Sequence, residues 1–281
     1  MAVDSIKKTI GVAFGVCLIS SILVSLAYVK LKPVQDMNKK MDKLKNILIA
    51  GGIKIDARND IMKLYKERIV PVVVELKTGK ILKKIDDEQL KPENFDIESL
   101  AKNKEFSSLI PPDKDIASIK RRPDYMVVYN VVGEKGSSEV ERRIFPIYGR
   151  GLWSTMYGLL ALDKDMKTIK GFTFYKHEET PGLGGEVDNP QWKALWKNKK
   201  IFTISGNGVE LKIKVIKGKV IKGSPGSDST IDGLSGATLT TRGVNNLVRF
   251  WMGFDGQNWG DCGYGPYIKK LIDKIEENGN G

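Results

Sequence analysis

The stretch Asp232-Gly-Leu-Ser-Gly-Ala-Thr238 stands directly before LTTRGVNNLVRFWM, which covers residues 239–252. The second stretch predicts a helix, because apolar residues recur on one side at helical spacing, namely Val244, Leu247, Val248 and Trp251. The first stretch predicts a loop of small residues at the N-terminus of that helix. Unpaired N–H groups and the positive end of the helix dipole make such a loop a candidate phosphate site.

The small and hydroxyl-bearing residues of this loop allow two interpretations. Gly236 and Ala237 let a ligand come close to the backbone. The available hydroxyl groups belong to Ser235, Thr238, Thr240 and Thr241. These hydroxyls can bind a phosphate, or they can simply cap the helix, which is the commoner use of such residues. Physical chemistry alone leaves both interpretations open.

The N-terminus carries an apolar run from Ile10 to Val29, twenty residues without a charge. Twenty helical residues rise about 30 Å, the thickness of a hydrocarbon core. Ser25-Leu26-Ala27 resembles a signal-peptide cleavage site, but the run is longer than the roughly 7–15 apolar residues of a signal peptide. We therefore expect a retained single-pass anchor over residues 10–32, preceded by a short tail over residues 1–9.

The charges that flank this anchor bear on its orientation. Two lysines precede the apolar run, Lys7 and Lys8, and six follow it closely: Lys30, Lys32, Lys39, Lys40, Lys43 and Lys45. The positive-inside rule would place the large domain in the cytoplasm, although long domains can cross a membrane regardless of charge.

The remainder of the chain has the pattern of a soluble α+β domain. Helices are predicted over residues 37–48 and 60–68, and a mostly irregular or short-helical segment over residues 80–121. Strands are predicted over residues 71–76, 125–132, 140–148, 158–162, 169–175 and 211–216. This pattern predicts a mainly antiparallel sheet flanked by helices, with a membrane-proximal part over residues 33–122 and the main domain over residues 123–281.

The composition excludes several kinds of site. Two cysteines and one histidine cannot build a disulfide-rich scaffold or a zinc or iron–sulfur centre, so we expect no metal. The net charge of +12 keeps nucleic acid and anionic membrane open as partners. Beside a membrane anchor, that charge favours lipid headgroups or acidic protein partners, and we expect no nucleic acid.

The residues Asp232, Ser235, Gly236, Ala237 and Thr238 resemble the flavinylation motif of the FMN-binding domain family. That family includes subunits of the sodium-translocating NADH:quinone reductase and of the related Rnf electron-transport complex. The resemblance implies FMN bound covalently to the Thr238 hydroxyl through a phosphoester. It also implies a separate flavin transferase that takes the group from FAD and requires the acidic Asp232. Residues 123–281 would then form the FMN-binding domain.

Two further segments, GRGLWSTMYG at 149–158 and HEETPGLGGE at 177–186, resemble the NqrC group within that reductase. The resemblance places Thr180, Leu183 and Trp153 against the flavin ring. Without it, Thr180 and Leu183 would belong to an ordinary turn and Trp153 to the core. We expect His177 to have a structural or loop-positioning role, and we expect no catalytic residue. Trp192 and Trp196 are expected to pack in the core or at its rim.

The resemblance implies an electron-transfer subunit that relays electrons between partner redox subunits of a sodium-pumping respiratory complex. It further implies the bacterial inner membrane, with the large domain on the periplasmic side despite the lysine count. Two alternatives remain at this point. One is an Rnf-type subunit with the same flavin, and the other is a membrane-tethered binding protein without a redox role.

Overall fold

The computed structural model describes residues 6–56, 60–133, 137, 139–205 and 208–279. The chain divides into two compact units, Met1–Leu44 and Lys45–Gly281. Helix α1 spans Ile6–Ala50, so it makes up the first unit and supplies the opening residues of the second.

The N-terminal unit is the greater part of the 45-residue helix α1. Within the described part of the chain, α1 is the one helix that is long and apolar enough to cross a membrane. Its apolar side chains are exposed, for example Leu23 at 62% and Val29 at 69%. An exposed apolar surface of this length fits a helix surrounded by lipid. The helix continues through Pro33, so the helix predicted over residues 37–48 is an extension of the apolar run.

The second unit contains five further helices and twelve strands in the described residues. The helices are α2 (Ile61–Arg68), α3 (Ile97–Lys102), α4 (Pro190–Ala194), α5 (Thr238–Trp251) and α6 (Gly265–Gly279). The strands are β1 (Ile69–Glu75), β2 (Lys80–Ile81), β3 (Ser107–Leu109), β4 (Arg121–Pro123), β5 (Tyr125–Val132), β6 (Val140–Arg150), β7 (Thr155–Asp163), β8 (Ile169–Lys176), β9 (Phe202–Ser205), β10 (Gly208–Leu211), β11 (Lys214–Val215) and β12 (Thr230–Ile231).

Six of these strands form one antiparallel sheet in the order β2-β1-β5-β6-β7-β8. The strands predicted over residues 71–76, 125–132, 140–148, 158–162 and 169–175 all contribute to it. The predicted α+β class, with one long apolar helix at the N-terminus and a mainly antiparallel sheet, is therefore confirmed. Strand β5 is buried along most of its length, because its run YMVVYNVV is apolar on both faces.

One end of the sheet gathers several connections. A short turn, residues 151–154, joins β6 to β7. Tyr157, near the start of β7, pairs with Lys176 at the end of β8. The turn 151–154 and the segment after β8 therefore lie at the same end of the sheet.

Helix α5 crosses β6 and brings its N-terminus to that same end. The Trp251 indole N–H, in the last turn of α5, donates to the Tyr148 carbonyl at 2.6 Å. Towards the other end of the helix, Gly243 packs on the Arg150 carbonyl. The helix therefore runs antiparallel to β6, and its first turn extends beyond Arg150 towards the turn 151–154. Gly149 allows this approach, since a Cβ there would lie 2.5 Å from the Leu247 Cβ.

Trp192 and Trp196 form an aromatic cluster on β8. The Phe172 ring stacks on Trp196 with the ring centroids 3.9 Å apart, and it meets Trp192 edge-on at 6.0 Å. Trp196 is fully buried and Trp192 is 7% exposed. The predicted core or rim packing of both residues is confirmed, although Trp196 lies just beyond the end of α4.

The strand predicted over residues 211–216 is wrong as a single element. β10 pairs with β9, whereas β11 pairs in parallel with β12, so the chain changes partner at Lys212 and Ile213. The alternation that suggested one strand reflects burial of Leu211, Ile213 and Val215 on one side. Helix α6 was not predicted, although Ile268 and Ile272 are buried at helical spacing.

Gly171 lies where the last turn of α1 packs on the sheet. A Cβ at this position would collide with the Ala50 carbonyl oxygen, which is backbone and cannot rotate away. We expect Gly171→Ala to lower the free energy of unfolding by about 1–3 kcal/mol. The measurement is urea unfolding of the full chain in detergent micelles, followed by tryptophan fluorescence. Leu109→Ala, at a side chain that is 72% exposed, is the control and is expected to cost less than about 0.5 kcal/mol. An unchanged midpoint for Gly171→Ala would contradict this packing.

Candidate functional site

The N-terminus of α5 has no side-chain cap. Ala237 occupies the N-cap position, and its carbonyl accepts from the Thr241 N–H at 2.9 Å. In the described part of the chain, the N–H groups of Thr238, Leu239 and Thr240 have no hydrogen-bond acceptor. The interpretation that the hydroxyls of this loop only cap the helix is therefore wrong. The first turn presents free donors and the positive end of the helix dipole.

The four hydroxyls near this turn separate into two groups. The Thr240 hydroxyl is fully buried and donates to Glu179 Oε2 at 2.6 Å. The Thr241 hydroxyl is also buried and accepts from the Leu234 N–H at 3.0 Å. Ser235 and Thr238 are exposed, and no hydrogen bond of their hydroxyls is seen among the described residues. Thr238 is thus the exposed hydroxyl of the first helical turn.

A buried carboxylate, Glu179, joins this turn to the neighbouring loop. Its Oε1 accepts the N–H groups of Leu152 and Trp153, each at 3.0 Å, and that of Ser154 at 3.5 Å. Its Oε2 accepts the Thr240 hydroxyl. Burial alone would raise the pKa of Glu179, but these four hydrogen bonds outweigh it and hold the pKa below its ordinary value.

Two glycines leave no free space around this carboxylate. A Cβ on Gly151 would collide with Glu179 Oε1. A Cβ on Gly184 would lie 2.6 Å from the Thr240 hydroxyl and 2.7 Å from Glu179 Oε2. The carboxylate is therefore enclosed by backbone from both loops, and any side chain at these two positions would displace it.

The segment after β8 is held by its own hydrogen bonds. His177 Nε2 lies 2.8 Å from Asp188 Oδ2, and His177 Nδ1 accepts the Glu179 N–H at 3.2 Å. The Thr180 carbonyl accepts from the N–H groups of Leu183 and Gly185. Gly182 has a φ of +74°, which a glycine adopts without strain. The predicted loop-positioning role of His177 agrees with these contacts.

Exposed apolar side chains surround Thr238. Trp153 is 64% exposed, Leu239 52%, Leu183 46% and Leu152 39%. The alternative that Trp153 is a core aromatic is therefore wrong. Leu183 lies close to the attachment loop, because a Cβ on Gly236 would be 3.0 Å from Leu183 Cδ2. Thr180 is exposed beside them. Such a cluster of exposed apolar groups marks a surface for a ligand or a protein partner.

Asp232 is tied to the fold as well as to the motif. Its Oδ1 accepts the Val220 N–H at 2.8 Å, and its backbone carbonyl accepts the Trp192 indole N–H at 2.8 Å. The first residue of the motif thus holds both the loop before β12 and the aromatic cluster in place. Among the described residues there is no group of three or more His, Cys, Asp or Glu side chains that could hold a metal.

The comparisons with known proteins agree with this geometry. A family model described as FMN-binding domain matches residues 151–253, a range that contains every candidate site residue. The C subunit of the Na(+)-translocating NADH-quinone reductase of Pseudomonas aeruginosa is 43% identical over 255 residues, covering 90% of this chain and 94% of the relative. The chain belongs to the NqrC family, the C subunits of Na(+)-translocating NADH-quinone reductases.

Other members of this family match the chain over nearly its whole length. The C subunit of the Yersinia pestis reductase is 38% identical over 279 residues, covering 98% of this chain and 97% of the relative. The crystal structure of Shewanella oneidensis NqrC is 34% identical with a TM-score of 0.71, covering 84% of this chain and 99% of that one. These relatives favour the NqrC interpretation over the Rnf-type alternative.

Glu179 makes the stability of the site depend on pH. Because its folded-state pKa is lowered, its stabilising contribution is present above the unfolded pKa of about 4.3 and is lost as the pH falls through the folded pKa. We expect Glu179→Gln to cost about 1–3 kcal/mol near pH 6, with the gap to the unmodified chain narrowing towards pH 3. Urea unfolding of the full chain at each pH measures this gap.

The exposed neighbour provides the control for this measurement. Glu178→Gln removes a carboxylate that lies outside the buried network, so its stability is expected to follow that of the unmodified chain at every pH. A gap for Glu179→Gln that stays constant from about pH 6 to about pH 3 would show that the carboxylate charge does not stabilise the site.

Proposed function

We propose that this chain is an electron-transfer subunit of a sodium-pumping NADH:quinone oxidoreductase and that it carries FMN through a phosphoester to Thr238 Oγ1. One observation carries the proposal. In a chain of the NqrC family, the exposed hydroxyl of the first turn of α5 stands at an uncapped helix N-terminus, whereas the Thr240 and Thr241 hydroxyls are engaged inside the fold.

The residues around Thr238 fit a flavin phosphate. The free N–H groups of the first turn of α5 are donors for an anion, and the helix dipole favours negative charge at this end. The exposed Ser235 adds a hydroxyl donor. Gly236 has a φ of +72°, so the loop bends sharply without a side chain over its backbone. These groups would hold the phosphate without any metal.

The surrounding side chains fit an isoalloxazine ring. Trp153 and Leu183 offer apolar and aromatic faces, and the exposed Thr180 offers a hydroxyl to a polar edge. When bound, the flavin supplies the electron-transfer chemistry, and the protein supplies position, electrostatics and partial shielding from water. A phosphoester tether prevents loss of the cofactor while leaving the ring accessible to partner redox subunits.

Attachment requires a second protein, because the chain presents a hydroxyl but no base beside it. In the proposed step, the Thr238 oxygen attacks the FMN phosphorus of FAD within a flavin transferase. A bond from that oxygen to phosphorus forms, the bond to the AMP oxygen breaks, and the hydroxyl proton is released. No electrons are exchanged in this step. Asp232 presents the motif to the transferase in this proposal.

The long apolar helix and the family together support a place in the bacterial inner membrane. We propose that α1 crosses the membrane once, that lipid surrounds it, and that the large domain lies on the periplasmic side beside other subunits of the complex. Continuity of α1 through Ser25-Leu26-Ala27 favours a retained anchor over a cleaved signal peptide. The chain alone would have no complete reductase activity, since it supplies only one carrier.

Attachment is tested by two matched substitutions at Thr238. Thr238→Val keeps the shape of the side chain but removes the oxygen, so the chain should carry no covalent flavin after co-expression with the transferase. Thr238→Ser keeps an oxygen at the same position and should retain labelling. The measurement is flavin fluorescence of the band on a denaturing gel under ultraviolet light.

The unmodified chain is the positive control and separates the proposed function from its rival. A non-fluorescent band despite an active transferase would favour a membrane-tethered binding protein without a redox role. A fluorescent band that persists in Thr238→Val would place the attachment elsewhere.

The membrane orientation is tested by reporter fusions at the C-terminus. Alkaline phosphatase folds only in the periplasm, so a fusion after residue 281 should be active in cells if the domain is periplasmic. A matched fusion to green fluorescent protein, exported through the same route, should be dark. An inactive phosphatase with a bright fluorescent fusion would instead place the domain in the cytoplasm, as the lysine distribution predicts.

A further inference from the structure

Glu179 links the two structural elements that meet at the proposed flavin site. Its Oε1 holds the backbone of the turn 151–154, which carries the exposed Trp153. Its Oε2 holds Thr240 in the first turn of α5, two residues after Thr238. These two elements are far apart in sequence, and one carboxylate spans them.

The hydrogen bond to Thr240 also sets the direction of Thr238. Successive residues of an α-helix are rotated by about 100°, so residues two apart point about 200° from each other. Because the Thr240 side chain is fully buried and points to Glu179, Thr238 must point away from the core and into solvent. The carboxylate thereby fixes which hydroxyl of this turn is presented.

The surroundings of the carboxylate allow it little freedom. Gly151 and Gly184 approach so closely that a Cβ at either position would collide with it. The Glu179 residue is 5% exposed, and its two oxygens accept four hydrogen bonds in total. A buried acceptor network that is fully satisfied is rigid, and losing one donor leaves a buried oxygen without its partner.

We propose that Glu179 is a positioning residue for flavin attachment, which holds the first turn of α5 and the turn 151–154 in one arrangement before the flavin arrives. The network forms entirely from this chain's own atoms, so it needs no cofactor to organise it. Its role is to present Thr238 and to withhold Thr240 from modification. This inference rests on the proposed attachment of FMN to Thr238.

The test measures the initial rate of flavin attachment to the purified full chain in detergent, with purified flavin transferase and FAD. Thr240→Val removes the donor to Glu179 Oε2 while keeping the side-chain shape, and Glu179→Ala removes the carboxylate. Loss of a hydrogen bond to a charged group is worth about tenfold or more in the population of the competent arrangement, so both variants should label at least about tenfold more slowly. Thr240→Ser restores the hydroxyl and should label within about twofold of the unmodified chain.

A control variant separates positioning from general stability. Gly171→Ala disturbs the packing of Ala50 on the sheet, which is outside the site. It should lower the melting temperature at least as much as Thr240→Val, yet label at close to the unmodified rate when assayed well below both melting temperatures. This comparison identifies an effect that stability alone would not produce.

Three outcomes would overturn the inference. If the unmodified chain is labelled on Thr238 and Thr240→Val and Glu179→Ala label at the same rate, Glu179 does not position the site. If Gly171→Ala is slowed as much as Thr240→Val, the effect is one of stability. If the unmodified chain is not labelled by an active transferase, the proposed function fails and this inference fails with it.

Discussion

The buried carboxylate of Glu179 is the interaction on which the candidate site depends. It gathers three backbone N–H groups from one loop and a hydroxyl from the first turn of α5. A charged group of this kind is stable inside a protein only when its hydrogen bonds are made. The folded arrangement of both elements is therefore coupled to a single side chain, and the exposed Thr238 follows from it.

The sheet explains why these elements meet. β6 and β7 are joined by the turn 151–154, and the end of β8 lies beside the start of β7. Helix α5 runs back along β6 and delivers its uncapped N-terminus to the same place. Exposed apolar side chains then surround a hydroxyl and free N–H donors. A flavin phosphate and ring require the same combination of groups, which joins the fold to the proposed electron-transfer role.

Much of this could be predicted from sequence, and the rest depends on distant contacts. The strands over residues 125–132 and 169–175 are long apolar runs, so local pattern was sufficient. The motif ending at Thr238 has a distinctive composition, which resemblance could recognise. Glu179 was missed because a glutamate before Thr-Pro-Gly is typical of an exposed loop, and its burial depends on Thr240, 61 residues away. The change of partner near Lys212 was missed for the same reason, since alternation shows burial but not which strand is the neighbour.

Peptide mapping of the chain after co-expression with a flavin transferase is the most direct test of attachment at Thr238. Trypsin cleavage after Lys222 and Arg242 releases one peptide, residues 223–242, that contains Thr230, Thr238, Thr240 and Thr241 together. Fragmentation in the mass spectrometer then locates any FMN on a single residue. We expect a mass gain of one FMN less one water on Thr238 alone. FMN on Thr240 or Thr241, or a peptide without FMN, would contradict the proposed attachment.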